Sequence, residues 1–311
     1  MRSEVTAGLR AGGLDPDVVE SVVVTALAED LGPAGLDVTT AATIDPGQVG
    51  TAELVARADG VVAGLALAAA VFEAVPPAGT AVEVRLHRAD GDRVPAGTVL
   101  ATFTGPVRTL LIGERTVLNL ISRLSGVATH TRAWADALHG SKATVLDTRK
   151  TTPGLRLLEK YAVRVGGGGN KRMGLYDVAM VKDNHKLAAG GVGAAYRRCR
   201  ESFPEVPVEV EVTTLAEAVE AVDAGATFLL CDNMTPELLR AVVSEVGDRA
   251  ELEATGGLTL ANAARYAATG VDYLSVGALT HSSPIMDIAL DLRPADQAGP
   301  ADATGRAWSV G

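Results

Sequence analysis

Residues 206–233 read VPVEVEVTTLAEAVEAVDAGATFLLCDN, and this stretch decides the fold. Its two apolar runs, VPVEVEVTT and TFLLCDN, are rich in residues that favour strands, while the amphipathic LAEAVEAVDAG between them predicts a helix. A strand, a helix and a second strand at this spacing require the two strands to run parallel. The stretch therefore predicts a parallel sheet covered by helices.

The same alternation extends over residues 126–292. Further strands are predicted at ATVLDT, VAMVKDN, AELEATGG and VDYLSVGA. Further helices are predicted at LRLLEKYAVR, GVGAAYRRCRES, PELLRAVVSEV and LANAARYAATG. Six strands of this kind without a GxGxxG fingerprint favour an α/β barrel over a doubly wound sheet. We assign residues 126–292 to an α/β barrel catalytic domain.

The residues before and after this barrel have a different composition and pattern. Residues 1–125 contain short Val, Leu and Thr runs broken at DG, GD, PAG and GP, with LALAAAVFEAV as a helix between them. This pattern predicts an N-terminal α+β domain. Residues 293–311 are rich in Pro, Gly and Ala, which predicts a loosely ordered C-terminal tail.

Composition excludes several classes of function. The formal net charge of −10 argues against non-specific binding of nucleic acid. No run of 18 or more apolar residues suggests a membrane span, and the N-terminus has no apolar signal region. Cys199 and Cys231 lie far apart without a CxxC pattern, which is typical of reduced thiols. We expect a cytoplasmic protein that binds neither nucleic acid nor membrane.

Polar residues stand at the end of almost every predicted strand of the barrel. They are Asp147, Arg149 and Lys150; Lys182 and Asp183; Glu209 and Glu211; Asp232 and Asn233; Glu253 and Thr255; and Ser275. In parallel barrels the carboxyl ends of the strands and the loops that follow them form the active site. This placement predicts an enzyme.

Cations concentrate in the same part of the chain. Every lysine falls within residues 142–186, where the segment RVGGGGNKRMG (164–174) matches neither the P-loop nor the dinucleotide template. We expect this segment to be a flexible loop that presents Lys171 and Arg172. Together with Arg149, Lys150 and Lys182 they predict a cationic rim for a small polyanionic ligand. The alternative is that these cations form ion pairs within the rim.

Two other features of the rim indicate a phosphorylated ligand. Glu211 and Asp232, on successive strands, could hold a divalent cation or a ribose. Turns at Thr255-Gly256-Gly257 and at Gly277-Ala278 follow strands and precede helices, where backbone N–H groups bind phosphate. Ordinary glycine turns are the alternative. Neither zinc-ligand spacing nor a GxSxG nucleophile elbow occurs.

Long stretches of the chain also match a known family pattern. They are ERTVLNLISRLSGVAT (114–129), LDTRKTTPGLRLLEKYAVRVGGGGNKRMGLYDVAMVKDNH (146–185), EVEV (209–212), LLCDNM (229–234), LEATGGLT (252–259) and VDYLSVGALTHS (271–282). In these stretches the chain resembles the quinolinate phosphoribosyltransferase family, also called nicotinate-nucleotide pyrophosphorylase (carboxylating). The resemblance implies an incomplete, seven-stranded α/β barrel with an N-terminal α+β open sandwich. It also implies a reaction: quinolinate and phosphoribosyl pyrophosphate (PRPP) give nicotinate mononucleotide, pyrophosphate and CO2, with Mg²⁺.

The resemblance assigns roles to particular side chains. It implies that Arg115, Arg149 and Arg172 hold the carboxylates of quinolinate, helped by the catalytic lysines Lys150 and Lys182. It further implies that Glu211 and Asp232 act catalytically on the ribose and metal side, and that Thr255, Gly256, Gly257 and Gly277 hold the 5′-phosphate. It also implies a homodimer, or a higher oligomer, whose shared active site receives Arg115 from the neighbouring subunit.

One position departs from the family pattern. The family usually has Asn-His-Arg where this chain has Asn170-Lys171-Arg172. A lysine there makes the positive charge permanent, so we expect Lys171 to line the anion pocket. The change leaves open a paralogous phosphoribosyltransferase acting on a different anionic aromatic or heterocyclic acceptor. A Schiff-base lyase built on Lys182 and a non-catalytic anion-binding protein are further alternatives.

Overall fold

A computed structural model describes residues 1–76 and 81–293, and the backbone of residues 306–309. The helices are α1 (Ser3–Ala11), α2 (Pro16–Leu31), α3 (Val38–Thr43), α4 (Leu67–Ala74), α5 (Val107–Ala137), α6 (Arg156–Val165), α7 (Asp183–Ala189), α8 (Val192–Ser202), α9 (Leu215–Asp223), α10 (Pro236–Val246), α11 (Leu260–Ala267) and α12 (Ala278–His281). None of these helices combines the length and the apolar character that crossing a membrane requires.

The strands fall into an N-terminal set and a set in the second half of the chain. They are β1 (Val49–Ala56), β2 (Gly60–Val61), β3 (Glu83–Leu86), β4 (Arg93–Val94), β5 (Val99–Pro106), β6 (Thr144–Leu146), β7 (Ala179–Val181), β8 (Val208–Val212), β9 (Phe228–Asp232), β10 (Glu251–Thr255), β11 (Tyr273–Ser275), β12 (Ile288–Arg293) and β13 (Arg306–Ser309). Of the tail predicted at 293–311, Arg293 ends β12 and 306–309 form β13. The rest of it lies outside the described residues.

The chain divides into two compact units that are not continuous in sequence. Unit 1 comprises residues 1–129, 153–166 and 283–311, and unit 2 comprises residues 130–152 and 167–282. The predicted division between residues 125 and 126 falls inside α5, four residues before the end of the first segment of unit 1.

Unit 1 is built on an antiparallel sheet with the strand order β12-β1-β5-β3-β13. Burial alternates along β1 from Thr51 to Leu54, so that Ala52 and Leu54 are buried on one face of this sheet. Phe103 on β5 meets Phe72 on α4 edge to face, with ring centroids 4.9 Å apart, and both rings are fully buried. The predicted N-terminal α+β architecture is confirmed.

Unit 2 is a parallel sheet with the strand order β7-β8-β9-β10-β11-β6. All six strands predicted from the sequence are present, and helices α8 to α11 follow the predicted amphipathic stretches. Because β6, the first strand of the unit, pairs with β11, the last, the order is that of a barrel interrupted between β6 and β7. The predicted α/β class with an incomplete barrel is confirmed.

The interruption between β6 and β7 is where the strand count differs from the expected seven. Within unit 2, every residue of which is described, six strands form the parallel sheet. The seventh position holds a single bridge, in which Gly169 pairs in parallel with Leu146 of β6. A Cβ at residue 169 would lie 2.7 Å from Leu146 Cδ2, so a larger residue here would require the Leu146 side chain to shift. Gly169, the last residue of the glycine run, therefore pairs with the barrel wall, a contact that the sequence did not predict.

Candidate active site

Polar side chains from five of the six parallel strands lie at the carboxyl edge of the unit 2 sheet. Lys150 follows β6 and Lys182 follows β7, whereas Glu211 lies on β8 and Asp232 ends β9. Thr255 ends β10 and pairs in register with Asp232 of β9. The fold thus places these five strand-end residues at the carboxyl edge, as the sequence predicts, whereas Glu209 and Glu253 lie deeper in the barrel.

Lys182 and Glu211 form an ion pair at this rim. Lys182 Nζ lies 2.9 Å from Glu211 Oε2, and their side chains are 48% and 9% exposed. The pair links the end of β7 to β8, its neighbour in the sheet. Ion pairing within the rim, one of the alternatives drawn from the sequence, therefore holds for these two residues.

Arg149 and Arg172 form the cationic part of the rim. The buried Nε of Arg149 has no hydrogen-bond partner among the described residues. Arg172 donates from Nη1 to the Val178 carbonyl, 3.1 Å away. Burial and the nearby charge of Arg149 lower the pKa of Arg172, while Glu209 and Asp177 act in the opposite direction. Two guanidinium groups close enough to repel each other attract a carboxylate or a phosphate.

Arg172 also borders a cavity beside the free edge of β7. The cavity has a volume of about 420 Å³, and its walls are mostly apolar residues of β7, α7 and α8. His185 and Arg198 are the other basic groups on its lining. Basic groups and apolar walls thus surround Arg172, which is half-buried.

The turn after β10 is shaped by Asn233, which has a left-handed backbone with φ of 53°. The N–H of Asn233 donates to the Thr255 carbonyl at 2.9 Å, and its Nδ2 donates to Asp232 Oδ2 at 2.8 Å. Gly256 has φ of +89°, and a Cβ there would lie 2.2 Å from Asn233 Oδ1. Glycine is therefore required at residue 256, and the packed amide holds the Asp232 carboxylate in place.

The side chains of Lys150 and His281 pack against the backbone of the turn after β11. Gly277 has helical φ and ψ and precedes α12. A Cβ at Gly277 would lie 3.1 Å from both Lys150 Cδ and His281 Nε2. His281 is exposed, its Nδ1 lies 2.6 Å from Ser282 Oγ, and sequence reasoning did not identify it. Its position one helical turn after Gly277 is the signal that could have found it.

Lys171 is placed differently from the expectation that it lines the anion pocket. Its side chain is 8% exposed, and its Nζ lies 2.8 Å from Glu209 Oε1 and 2.5 Å from Glu253 Oε1. Glu209 lies on β8 and Glu253 on β10, and their side chains are 1% and 0% exposed. Burial and the charge of Glu253 raise the pKa of Glu209, although Lys171 acts to lower it. We name Lys171, Glu209 and Glu253 the interior cluster.

Arg115 belongs to unit 1, where it lies on α5 with its side chain exposed. The other predicted site residues all belong to unit 2. The role that the resemblance gives Arg115, in the site of a neighbouring subunit, remains a prediction.

The carboxylates of the rim could supply some, but not all, of the ligands of a hard cation. Among residues 1–76 and 81–293, no three His, Cys, Asp or Glu side chains are grouped to hold a metal ion. Mg²⁺ commonly takes one or two protein carboxylates and completes its shell with substrate phosphates and water. Asp232 and Glu211 supply such carboxylates, on neighbouring strands.

Guanidinium groups, a lysine and glycine turns at the carboxyl end of a parallel barrel define an α/β-barrel enzyme that handles phosphorylated and carboxylated ligands. Two family models narrow this class. The model described as quinolinate phosphoribosyl transferase, C-terminal domain, matches residues 127–291, and the model of the N-terminal domain matches residues 37–125. The chain belongs to the quinolinate phosphoribosyl transferase family.

Individual relatives agree with this assignment. The chain is 48% identical over 280 residues to the nicotinate-nucleotide pyrophosphorylase [carboxylating] of Mycobacterium leprae, covering 89% of this chain and 98% of the relative. It is 43% identical to the probable enzyme of that name from Bacillus subtilis, covering 85% and 90%. The crystal structure of NadC from Streptococcus pyogenes matches with a TM-score of 0.85 at 38% identity, covering 90% of this chain and 98% of that one.

Proposed function

We propose that this chain transfers the phosphoribosyl group of PRPP to quinolinate and decarboxylates the product. The products are nicotinate mononucleotide, pyrophosphate and CO2. The observation that carries the proposal is the rim itself, where the buried and unpartnered Nε of Arg149 lies near Arg172 and the next residue, Lys150, packs against the turn at Gly277. The names of relatives that are 40–48% identical support the same reaction.

The acceptor acid is held by the cations of the rim. Arg149 and Arg172 offer planar forks that match carboxylates, and their mutual repulsion is relieved when an anion lies between them. Lys150 follows Arg149 along the chain, and its exposed side chain runs past Gly277. A dicarboxylate thus meets several positive groups, which favours quinolinate over a monocarboxylic acid.

The phosphoribosyl group is held by the neighbouring side of the rim. The turns at Thr255–Gly257 and at Gly277 present backbone close to the ligand, with Lys150 and His281 next to the second turn. Asp232 is held by Asn233 at 2.8 Å and is half-exposed, so its carboxylate is available to a ribose hydroxyl. We assign the 5′-phosphate to the turns and the ribose to Asp232 and Glu211.

These side chains match the two bond changes of the reaction. The ring nitrogen of quinolinate forms a bond to the anomeric carbon as the bond to pyrophosphate breaks, and the ribose develops positive charge. The carboxylates of Glu211 and Asp232 stabilise that charge electrostatically. The C–C bond to the adjacent carboxylate then breaks, CO2 leaves, and the electron pair on the ring carbon takes a proton. The cations of the rim stabilise that developing negative charge.

Asp232 and Glu211 would supply hard carboxylate oxygens to a bound Mg²⁺, and substrate phosphates and water would complete its coordination shell. A bound Mg²⁺ would neutralise charge on the leaving pyrophosphate. Glu211 is also paired with Lys182 at 2.9 Å, so its carboxylate would serve both cations.

The alternative functions have less support. The comparisons do not favour a different acceptor, and the charge of Lys171 lies in the interior cluster. A Schiff-base lyase needs a desolvated amine, whereas Lys182 is half-exposed and ion-paired with Glu211.

We also propose a homodimer in the cytoplasm. Arg115 is exposed on a helix that is otherwise largely buried. This exposure is what we expect of a residue that reaches the active site of a neighbouring subunit. The two thiols are free, which suits a reducing compartment.

The test is an acceptor panel with the purified full chain, PRPP and Mg²⁺, in which pyrophosphate and CO2 are measured separately. Quinolinate should give both products in equal amounts, whereas nicotinate, which has one carboxylate, should give no CO2. Arg149→Lys should lower kcat/KM for quinolinate by at least about tenfold, because lysine loses the fork. Arg240→Lys on α10, an exposed arginine, is the matched control. Absence of both products with quinolinate would refute the proposal.

A further inference from the structure

The interior cluster is a set of charges that the proposed reaction does not use. Two buried carboxylates, Glu209 and Glu253, contact one buried ammonium, Lys171, at 2.8 and 2.5 Å. They come from β8 and β10, which flank β9 in the sheet, and Lys171 reaches them from the segment after the Gly169 bridge. The cluster therefore ties that segment to two strands of the barrel.

The charge of Lys171 is already satisfied inside the protein. A carboxylic acid that bound to its Nζ would have to displace one of two glutamates that are at most 1% exposed. Such a displacement leaves a buried carboxylate without its partner, which is strongly unfavourable. Lys171 is therefore unsuited to bind a substrate anion.

The residues on either side of Lys171 are fixed as well. The Lys171 N–H donates to Asp147 Oδ1 at 2.8 Å, and Asn170 Nδ2 donates to Asp147 Oδ2 at 2.7 Å. Asp147 is fully buried just after β6. On the other side, Arg172 donates to the Val178 carbonyl, immediately before β7. The segment 170–172 thus crosses the gap between β6 and β7 with contacts to both edges and to the interior.

We propose that Lys171 is a positioning residue: through Glu209 and Glu253 it anchors the segment 170–172 and so sets the guanidinium of Arg172, without binding the acceptor itself. This inference rests on the proposed function and deepens it. It distinguishes Arg172, which binds the acceptor acid, from Lys171, which positions Arg172. Glu209 connects the two, because its carboxyl group contacts Lys171 and interacts electrostatically with Arg172.

A double-mutant cycle between Lys171 and Arg172 tests this. Initial rates with quinolinate are measured for the wild type, Lys171→Met, Arg172→Lys and the double variant. If Lys171 acts through Arg172, Lys171→Met raises the KM for quinolinate about tenfold in the wild type and less than about twofold in the Arg172→Lys background. An equal factor in both backgrounds would mean that Lys171 binds the acid directly, and no change in KM would mean a purely structural role. Either result overturns the inference.

Two further variants keep the test decisive if Lys171→Met does not fold. Lys171→Met/Glu209→Gln/Glu253→Gln removes all three charges together and leaves no carboxylate unpaired. Lys171→Arg keeps the charge and should retain a KM within about threefold of the wild type. In the triple variant, hydrogen–deuterium exchange of the peptide covering residues 168–176 should be faster than in the wild type. Unchanged exchange in that peptide would overturn the inference.

The exchange measurement also separates the two proposals. If the wild type fails to consume quinolinate, the proposed reaction is wrong, yet the exchange still reports whether Lys171 anchors the segment. If the wild type is active and the exchange is unchanged, the anchoring is wrong and the reaction stands.

Discussion

Replacing Glu209 by glutamine tests the electrostatic description of the barrel interior. Burial and the charge of Glu253 raise the pKa of Glu209 from an ordinary 4.5 to about 8, despite the ammonium of Lys171. A carboxyl whose pKa is raised in the folded state weakens folding as the pH rises, because the unfolded chain releases its proton first. The wild type should therefore lose stability between about pH 4.5 and pH 8.

The size of this loss follows from the shift. Each pKa unit corresponds to about 1.4 kcal/mol, so the shift from 4.5 to about 8 amounts to roughly 5 kcal/mol above pH 8 and to roughly 3 kcal/mol at pH 7. Glutamine imitates the protonated acid, with an oxygen for Lys171 and an N–H donor for Glu253. Glu209→Gln should match the wild type near pH 4.5 and exceed its stability by those amounts at higher pH.

Urea unfolding at pH 5, 6, 7, 8 and 9, followed by the fluorescence of the buried Trp134, measures the difference. Glu245→Gln, an exposed glutamate on α10, is the matched control and should show no pH-dependent difference. A difference between Glu209→Gln and the wild type that stays constant from pH 5 to 8, or that shrinks as the pH rises, would refute the reasoning.

Three other predictions concern the rim and its support. Gly256→Ala, whose Cβ would lie 2.2 Å from Asn233 Oδ1, should raise the KM for PRPP without changing that for quinolinate; equal changes in initial-rate assays would contradict this. Asp147→Asn weakens the acceptor of two hydrogen bonds and should cost about 1–3 kcal/mol in urea unfolding; an unchanged midpoint would count against it. Mixed Arg115→Ala and Arg149→Ala subunits should recover about a quarter of the active sites of a shared-site dimer; mixtures as inactive as either variant would exclude sharing.

The sequence was sufficient for the six strands of the barrel and for helices α8 to α11. Alternation such as VEVEV (208–212) and the amphipathic stretches between strands are local signals, and the structure follows them. The division into units was not predictable in the same way. Residues 153–166 and 283–311 return to unit 1, and this depends on packing between distant segments that no local pattern encodes.

The interior cluster shows why only part of the site could be predicted. Glu209 and Glu211 both read as strand-end charges, and residues two apart in a strand point to the same face. They differ in depth by about 7 Å along the strand, however, and depth decides the partner. Glu211 meets the half-exposed Lys182, whereas Glu209 meets the buried Lys171. The alternation of residues along a strand predicts which face of the sheet a side chain lies on. It does not predict how deep in the barrel that side chain lies.

The missing seventh strand explains how Lys171 and Arg172 come to lie near the same carboxylate. In a regular strand, neighbouring residues point to opposite faces, so one of the two would have left the interior. Because the segment pairs with β6 through Gly169 alone, its backbone leaves the ladder, and both cations come within electrostatic reach of Glu209. Lys171 then fixes the segment from inside, and Arg172 remains half-buried at the rim. The gap between β6 and β7 is thus where the segment that carries both cations crosses the barrel wall.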